Sequence, residues 1–328
     1  MIGPSPWVLI NMGARYMPCM HDVPEIGEIT SWGCPDATDN KVGGCTLSQL
    51  CGFAAFESPV WVTTNCVSKN LNPAPNQWFR FIVPMFLHAG IIHIGFNMLL
   101  QLTLGREIEI LIGPIRFFLV YMASGIFGFV LGGNFAAAGI ASTGASGSLF
   151  GIMALNLLDL LYTWKERRNP GKELGFIILD VVISFVLGLL PGLDNFSHIG
   201  GFLMGIVLGI CILHSPNALR KRINQDEPPY EPVKASGPTL GMTGFAKSPV
   251  GFFKGRKPAW WAWWLVRAAS LVLVLVVFIL LLNNFYVGRK TCSWCKYLTC
   301  LVSSSLGFFC ASVLTISGYQ KPWMVRDW

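Results

Sequence analysis

Six apolar stretches separated by polar loops dominate the chain after residue 80. Each is rich in Leu, Ile, Val, Phe and Gly and carries few charges, a pattern typical of helices that cross a membrane. The first 80 residues mix polar side chains with Gly and Pro and contain no apolar run long enough to span. The pattern predicts an all-α polytopic membrane protein. Its predicted spans are 91–104, 114–133, 146–164, 174–190, 197–213 and 261–287.

The loops between these spans divide the chain into five regions. The apolar run from Phe81 to Leu87 precedes the short first span, and we expect it to enter the membrane as a re-entrant loop. The predicted regions are an extracytosolic cysteine-containing loop region (1–80), a core (81–213), a cytosolic basic linker (214–260), an additional span (261–287) and an extracytosolic cysteine-containing tail (288–328).

Composition and charge agree with a membrane protein. Of the 328 residues, 53% are hydrophobic and 12% are charged, whereas a soluble domain carries about 25% charged residues. The net charge of +7 comes largely from basic residues in loops 163–173 and 214–260, while loops 134–145 and 191–196 have none. The positive-inside rule places the two basic loops in the cytosol. It explains the charge without a nucleic-acid partner, and we predict none.

The ten cysteines lie mostly outside the spans. Five precede the first span, four follow the last one, and Cys211 lies within a span. Both outer groups fall on the extracytosolic side, which indicates disulfides and a location in the secretory pathway or plasma membrane. Their pairing stays open, and the odd number in the first group leaves one cysteine free or joined to the tail. A zinc site at Cys292 and Cys295 is less favoured, because no second pair of ligands accompanies them.

Ser146 and His198 are the candidate catalytic pair. Ser146 opens the third span and His198 opens the fifth, so both lie at the extracytosolic ends of their helices. Small-residue stripes, Gly147 on one helix and Gly201 and Gly205 on the other, allow close approach of the backbones. A histidine within hydrogen-bond distance of a serine activates its hydroxyl for acyl transfer. The alternative is a helix cap and a histidine that bonds a carbonyl.

Polar residues of the first span add to this candidate site. His93 and Asn97 are four residues apart on one helix face, and His88 comes just before them. His93 and Asn97 are candidate donors for an oxyanion. The alternative is that they form interhelical hydrogen bonds. Phe150 lies one turn after Ser146, where it either stacks on His198 or packs in the core. No acidic partner for His198 is evident, and Asp159 is expected to be solvated at the opposite helix end.

Four motifs resemble those of rhomboid intramembrane serine proteases. Gly144-Ala-Ser146-Gly147 resembles the GxSG motif, and His198-Ile-Gly-Gly201-Phe-Leu-Met-Gly205 resembles HxxGxxxG. His93-Ile-Gly-Phe-Asn97 is similar to the histidine and asparagine of the family's second helix. Trp78-Phe-Arg80 is similar to its first-loop tryptophan and arginine. The likeness runs from about residue 76 to 213, and the span at 261–287 resembles the six-plus-one layout of eukaryotic secretase-type members.

The resemblance implies a rhomboid-like helical bundle with one extra C-terminal span. It assigns Ser146 as nucleophile and His198 as base, with His93, Asn97 and the Ser146 amide around the oxyanion. We add Gly144 to that stabilising set. The supporting residues are Gly147, Phe150, Gly201, Gly205, His88, Trp78 and Arg80. It also implies a mobile gate formed by the last core helices and the loop above the site.

One element of the family's pattern is missing. Family members carry a helix before the long first loop, and no apolar run precedes residue 80 here. We therefore expect the natural chain to begin further upstream.

The predicted function is intramembrane cleavage of single-span membrane proteins near their extracytosolic ends, without a metal or organic cofactor. The lipid bilayer is the other expected partner. A non-catalytic protein that binds or escorts membrane clients is the alternative. A transporter is disfavoured, because paired ionisable residues deep in several spans and internal repeats are lacking.

Overall fold

The computed structural model describes residues 3–23, 32–36, 44–52, 75–188, 194–216, 219, 258–290, 292 and 295. These residues form helices and turns, and they contain no β-strand beyond two isolated bridges. The helices are α1 Pro6–Asn11, α2 Leu47–Cys51, α3 Ile91–Leu100, α4 Arg106–Ile112, α5 Pro114–Phe135, α6 Ser146–Tyr162, α7 Pro170–Leu187, α8 Asn195–Ile212 and α9 Pro258–Asn283. The predicted all-α fold is confirmed. Most of the predicted basic linker and C-terminal tail lies outside the described residues.

Three helices are long and apolar enough to cross a membrane: Pro114–Phe135, Asn195–Ile212, and the stretch Pro258–Gly288, which ends in a π turn. Helix α6, at Ser146–Tyr162, is apolar but shorter. Helices α5, α6 and α8 pack together as the centre of the bundle, and α9 packs against α8 and α5. We refer below to the two ends of this bundle as the Ser146 end and the Tyr162 end.

The helix that holds the first predicted span continues beyond residue 104. Helices α3 and α4 are joined by a π turn at Gln101–Gly105, so the helical stretch runs to Ile112. Arg106 and Glu109 are exposed, while Ile108 and Ile112 are buried, so this part is an amphipathic continuation.

Helix α7 packs against fewer neighbouring helices than α5, α6 or α8 among the described residues. Pro170 begins it at a position where the missing N–H costs nothing. Its main packing partner among the described elements is α6. Large apolar side chains on its outer face are exposed, as expected for a surface in contact with lipid: Phe176, Ile178, Leu179, Val182, Ile183 and Val186.

The N-terminal segment, defined here as residues 3–23, 32–36 and 44–52, covers the Ser146 end. Disulfides Cys19–Cys51 and Cys34–Cys45 close it. Ile10, Tyr16, Trp32 and Leu50 form a small core of its own, in which the Tyr16 and Trp32 rings meet edge to face. Disulfides within this group of cysteines agree with the prediction, and Cys66 lies outside the described residues.

A third disulfide joins Cys292 and Cys295, beyond the end of α9. It packs with Ala136 and Phe196 at the Ser146 end. The pair is therefore a disulfide in this structure and not half of a zinc site. Within the described ranges, no group of three or more His, Cys, Asp or Glu side chains is placed to hold a metal ion.

The Tyr162 end has an ion pair that the sequence did not indicate. Asp159 is buried, and its carboxylate accepts a hydrogen bond from Arg167 at 2.5 Å. The expectation that Asp159 is solvated was wrong. Arg167 follows α6 by five residues and folds back over its last turn, where its Nε also donates to Thr163 Oγ1.

Candidate active site

Ser146 and His198 meet at one end of the bundle. Ser146 is the first residue of α6, and His198 lies in the first turn of α8. Ser146 Oγ and His198 Nε2 are 2.8 Å apart, within hydrogen-bond distance. His198 is 5% exposed and Ser146 is half-buried, so the pair is shielded but reachable from the Ser146 side.

Direct backbone contact between α6 and α8 brings the two residues together. A Cβ atom on Gly201 would clash with Gly147 O, and one on Gly205 would clash with Gly151 O. No larger residue fits at these two positions of α8 without separating the helices. Small residues at a helix interface permit this approach in a bilayer, where dispersion contacts take the place of a hydrophobic driving force.

A second glycine contact, between α5 and α8, was not identified from the sequence. A Cβ atom on Gly128 would lie 2.5 Å from Ser197 O, and one on Gly200 would lie 2.9 Å from the Gly128 Cα. Helix α8 therefore touches backbone on both sides. Glycines at 125, 128, 132 and 133 were the available signal in the sequence.

The His198 ring is fixed by stacking. Phe150, one turn into α6, lies parallel to it with 4.5 Å between centroids and 10° between planes. This is the first of the two arrangements predicted for Phe150. The second ring nitrogen, His198 Nδ1, is buried and has no hydrogen-bond partner among the described residues. Among the described residues, no carboxylate is hydrogen-bonded to the imidazole of His198.

Gly144 and His93 define a small space beside Ser146. Gly144 has φ +120°, a left-handed conformation that favours glycine. A Cβ atom there would lie 2.8 Å from His93 Nε2 and 3.7 Å from Ser146 Oγ. The Gly144 N–H donates to Pro84 O at 2.9 Å. The absence of a side chain at Gly144 leaves the space between the His93 ring and Ser146 open.

Hydrogen bonds orient His93 and Asn97. Ala89 N–H donates to His93 Nδ1 at 3.3 Å, so the proton of the neutral ring is assigned to Nε2, on the side of Gly144. Asn97 is buried and its Nδ2 donates to His93 O at 2.8 Å. Its Oδ1 has no partner within the described part of the chain. His88 meets the His93 ring edge to face, with centroids 5.2 Å apart.

Trp78 and Arg80 lie away from Ser146. Trp78 is 59% exposed and lines an apolar cavity of about 280 Å³ between α5 and α9. Arg80 is fully buried and donates to the carbonyls of Ile10, Ala14 and Cys51 and to Gln77 Oε1. Burial lowers the pKa of Arg80 to about 10. Arg80 therefore organises the N-terminal segment and does not touch the candidate pair.

Asp194 caps the helix that carries His198. Its Oδ1 accepts from the N–H groups of Phe196 and Ser197, and its Oδ2 accepts from Ser197 Oγ at 2.7 Å. An aspartate directly before an apolar helix is a standard N-cap signal, so the sequence contained this information. The cap was not predicted, because acidic residues were considered only as partners of the His198 imidazole.

Asp194 is also paired with Arg15 of the N-terminal segment. Arg15 Nη2 lies 2.9 Å from Asp194 Oδ2, and both side chains are buried. Burial lowers the pKa of Arg15, and the Asp194 carboxylate partly offsets that effect. The sequence gives no local sign of a contact between residues 179 positions apart.

Comparison with known proteins agrees with the geometry. The family model of the Rhomboid domain matches residues 75–215. "Rhomboid-type serine protease 2" of Emericella nidulans is 52% identical over an alignment of 320 residues that covers 92% of this chain and 62% of that protein. "RHOMBOID-like protein 6, mitochondrial" of Arabidopsis thaliana is 30% identical over 284 residues, covering 83% of this chain and 85% of the relative.

The bundle and these matches define a helical membrane protein of the rhomboid type. The chain belongs to the rhomboid family, as its motifs predicted. It spans less than two thirds of the length of the Emericella nidulans relative. The family also includes proteins named otherwise, since "Inactive rhomboid protein 1" of Homo sapiens is 31% identical over 264 residues, 78% of this chain and 24% of the relative.

Proposed function

We propose that this protein is an intramembrane serine endopeptidase in which Ser146 is the nucleophile and His198 the general base. The observation that carries the proposal is the 2.8 Å separation of Ser146 Oγ and His198 Nε2 at the start of two packed helices. In the tautomer with its proton on Nδ1, His198 accepts the hydrogen bond from the serine hydroxyl. That arrangement is the one required to remove the proton as Oγ attacks a carbonyl carbon.

The first turn of α6 supplies donors for the oxyanion. No side chain caps this helix, so the N–H groups of its first turn point out of the N-terminus without a side-chain acceptor. His93 Nε2–H faces the same space beside Gly144. Backbone and imidazole donors at the position where charge develops stabilise the transition state more than the ground state. Asn97 joins this set if its amide turns its donors toward the site.

Acyl transfer then proceeds in two balanced steps. The Oγ–carbon bond forms, the peptide C–N bond breaks, and the proton held by His198 passes to the leaving amine. A water molecule, deprotonated by His198, then hydrolyses the ester and restores the serine hydroxyl. The second step needs water at the Ser146 end, and the half-buried serine fits that requirement.

The substrate class follows from the position of the pair. We propose single-span membrane proteins cleaved near the membrane surface, where a helix unwinds enough to expose a peptide bond whose groups are otherwise hydrogen-bonded. The disulfides at the Ser146 end favour an oxidising compartment on that side, hence the secretory pathway or the plasma membrane.

The test is labelling by a fluorophosphonate probe in membranes. We expect wild-type protein to label, Ser146→Ala not to label, and His198→Ala to label about 10²- to 10⁴-fold more slowly, the range for loss of a general base. Ser148→Ala is the matched control, since this buried serine lies two residues further along α6 and donates only to Met85 Sδ. Folded wild-type protein that does not label would favour a non-catalytic client binder, the reading suggested by relatives named inactive.

A further inference from the structure

Arg15, in the N-terminal segment, contacts residues that precede both members of the candidate pair in the chain. The backbone of Arg15 forms an antiparallel bridge with Ser142, in which each N–H donates to the other residue's carbonyl at 3.0 Å. Ser142 is four residues before Ser146 in the loop that leads into α6. The Arg15 guanidinium reaches Asp194, which is four residues before His198.

The side-chain contacts of Arg15 leave it little freedom. The guanidinium donates to Asp194 Oδ2 at 2.9 Å and to Gly132 O, near the end of α5, at 3.2 Å. Arg15 is 0% exposed and Asp194 is 5% exposed. Removal of one partner from a buried pair leaves an uncompensated charge, so the arrangement is strongly enforced once formed.

The contact of Arg15 with Asp194 affects the position of His198. The same carboxylate that binds Arg15 caps the first turn of α8, and the N–H of His198 itself lies 3.4 Å from Asp194 O. A shift of Asp194 therefore shifts the turn that carries the imidazole. Displacements of about 1 Å in a catalytic pair reduce rates by as much as 10²-fold.

We propose that Arg15 is a positioning residue that sets the separation of Ser146 Oγ and His198 Nε2, so that the N-terminal segment is part of the active protein. The proposal rests on the proposed function of that pair. It assigns Arg15 no contact with substrate. Its backbone fixes the loop before the nucleophile, and its side chain fixes the cap before the base.

The test measures fluorophosphonate labelling of Ser146 as a function of probe concentration and pH, on full-length protein in membranes. For Arg15→Met we expect the maximal labelling rate to fall about 30- to 100-fold with little change in the probe concentration at half-saturation. The pH profile should shift as well, because the imidazole loses its geometry toward the serine. Substitution of a residue that only stabilises the fold would alter neither the maximal labelling rate nor the pH profile of the folded fraction.

Two further variants keep the test decisive. Arg15→Lys keeps a charge opposite Asp194 but replaces the two guanidinium nitrogens, which donate separately to Asp194 Oδ2 and Gly132 O, by a single ammonium. We expect a rate about 3- to 10-fold below wild type, a partial rescue. Arg167→Met is the matched control, because it also deprives a buried aspartate, Asp159, of its arginine, but at the Tyr162 end. We expect its rate to stay within about twofold of wild type, and its loss of stability to be smaller than that of Arg15→Met, because Arg167 is 38% exposed.

The outcomes separate the two proposals. If wild-type protein does not label, the proposed function fails whatever Arg15 does. If wild type labels and folded Arg15→Met labels at the same rate, the positioning role is wrong. If Arg15→Met does not fold, Arg15→Lys decides, and a folded Lys variant with wild-type rate and pH profile overturns the proposal.

Discussion

Helices α6 and α8 begin side by side at the Ser146 end, but their first turns are completed differently. Helix α8 has an aspartate at its N-cap, and that carboxylate occupies the N–H groups of Phe196 and Ser197. Helix α6 has Ala145 in the same position and no side-chain cap. Helices α3, α5 and α7 also begin without a side-chain cap, so the capped start of α8 is the exception in the bundle.

The difference matches the proposed division of roles. The helix of the base is fixed by a cap, a buried arginine and glycine contacts on two sides. The helix of the nucleophile keeps its first N–H groups available for an anion, which a capping side chain would displace. If the proposed function holds, the geometry of the pair is stabilised on the α8 side and the oxyanion donors are kept free on the α6 side.

The largest expected effect on labelling comes from separating the two helix starts. Gly201→Ala places a Cβ against Gly147 O, so the helices must move apart. We expect a loss of about 1–3 kcal/mol in the free energy of unfolding from overpacking, and labelling of Ser146 at least about 100-fold slower. Thermal unfolding in detergent and probe labelling in membranes measure the two effects.

Gly175→Ala is the control for this prediction. Gly175 lies on α7, and a Cβ atom there would have no neighbour within 4 Å. The better helix propensity of alanine should raise stability by up to about 1 kcal/mol without slowing labelling. Equal behaviour of the two variants would show that backbone contact does not hold the helix starts together.

The next effect isolates the cap of α8. Asp194→Ala removes both the cap and the partner of Arg15, and we expect a loss of about 3–5 kcal/mol in the free energy of unfolding. Asp194→Asn keeps an oxygen that can accept from Phe196 N–H, so it should retain about 1 kcal/mol more than the alanine variant. Identical melting temperatures for the two variants would show that the cap adds nothing to the ion pair.

The sequence identified residues whose position follows from the regular pattern of their own helix. Ser146, His198 and Gly201 follow from periodicity and spacing, because depth in the membrane and the face of a helix repeat regularly along the chain. The helical fold class was predictable for the same reason. The catalytic roles themselves stay predictions until the labelling experiment is done.

Residues that act across the chain were missed. Arg15 contacts Asp194 and Gly132, which no local pattern connects to it. The error at Asp159 has a similar origin, because the sequence does not show that Arg167 folds back over the helix end. The helix continues beyond the predicted span end at residue 104 as an amphipathic stretch to Ile112, with exposed charges on one face.

The smallest expected effect tests a single hydrogen bond of the capped turn. Ser197→Ala removes the bond from Ser197 Oγ to Asp194 Oδ2 but leaves both backbone N–H contacts and Arg15. We expect a loss of about 0.5–1.5 kcal/mol in the free energy of unfolding and unchanged labelling. Ser270→Ala, on the exposed surface of α9, is the control, with an expected change below about 0.5 kcal/mol. Slower labelling by Ser197→Ala would place this hydroxyl in the alignment of the pair.

Helix α7 has the opposite character to the glycine-packed centre. Its outer side chains, such as Phe176 and Val182, are exposed, and its main described neighbour is α6. In a bilayer, the apolar area that a tilt of α7 away from α6 uncovers would meet acyl chains rather than water. We therefore expect lateral displacement of this helix to carry no solvation penalty of the kind that holds a soluble core closed.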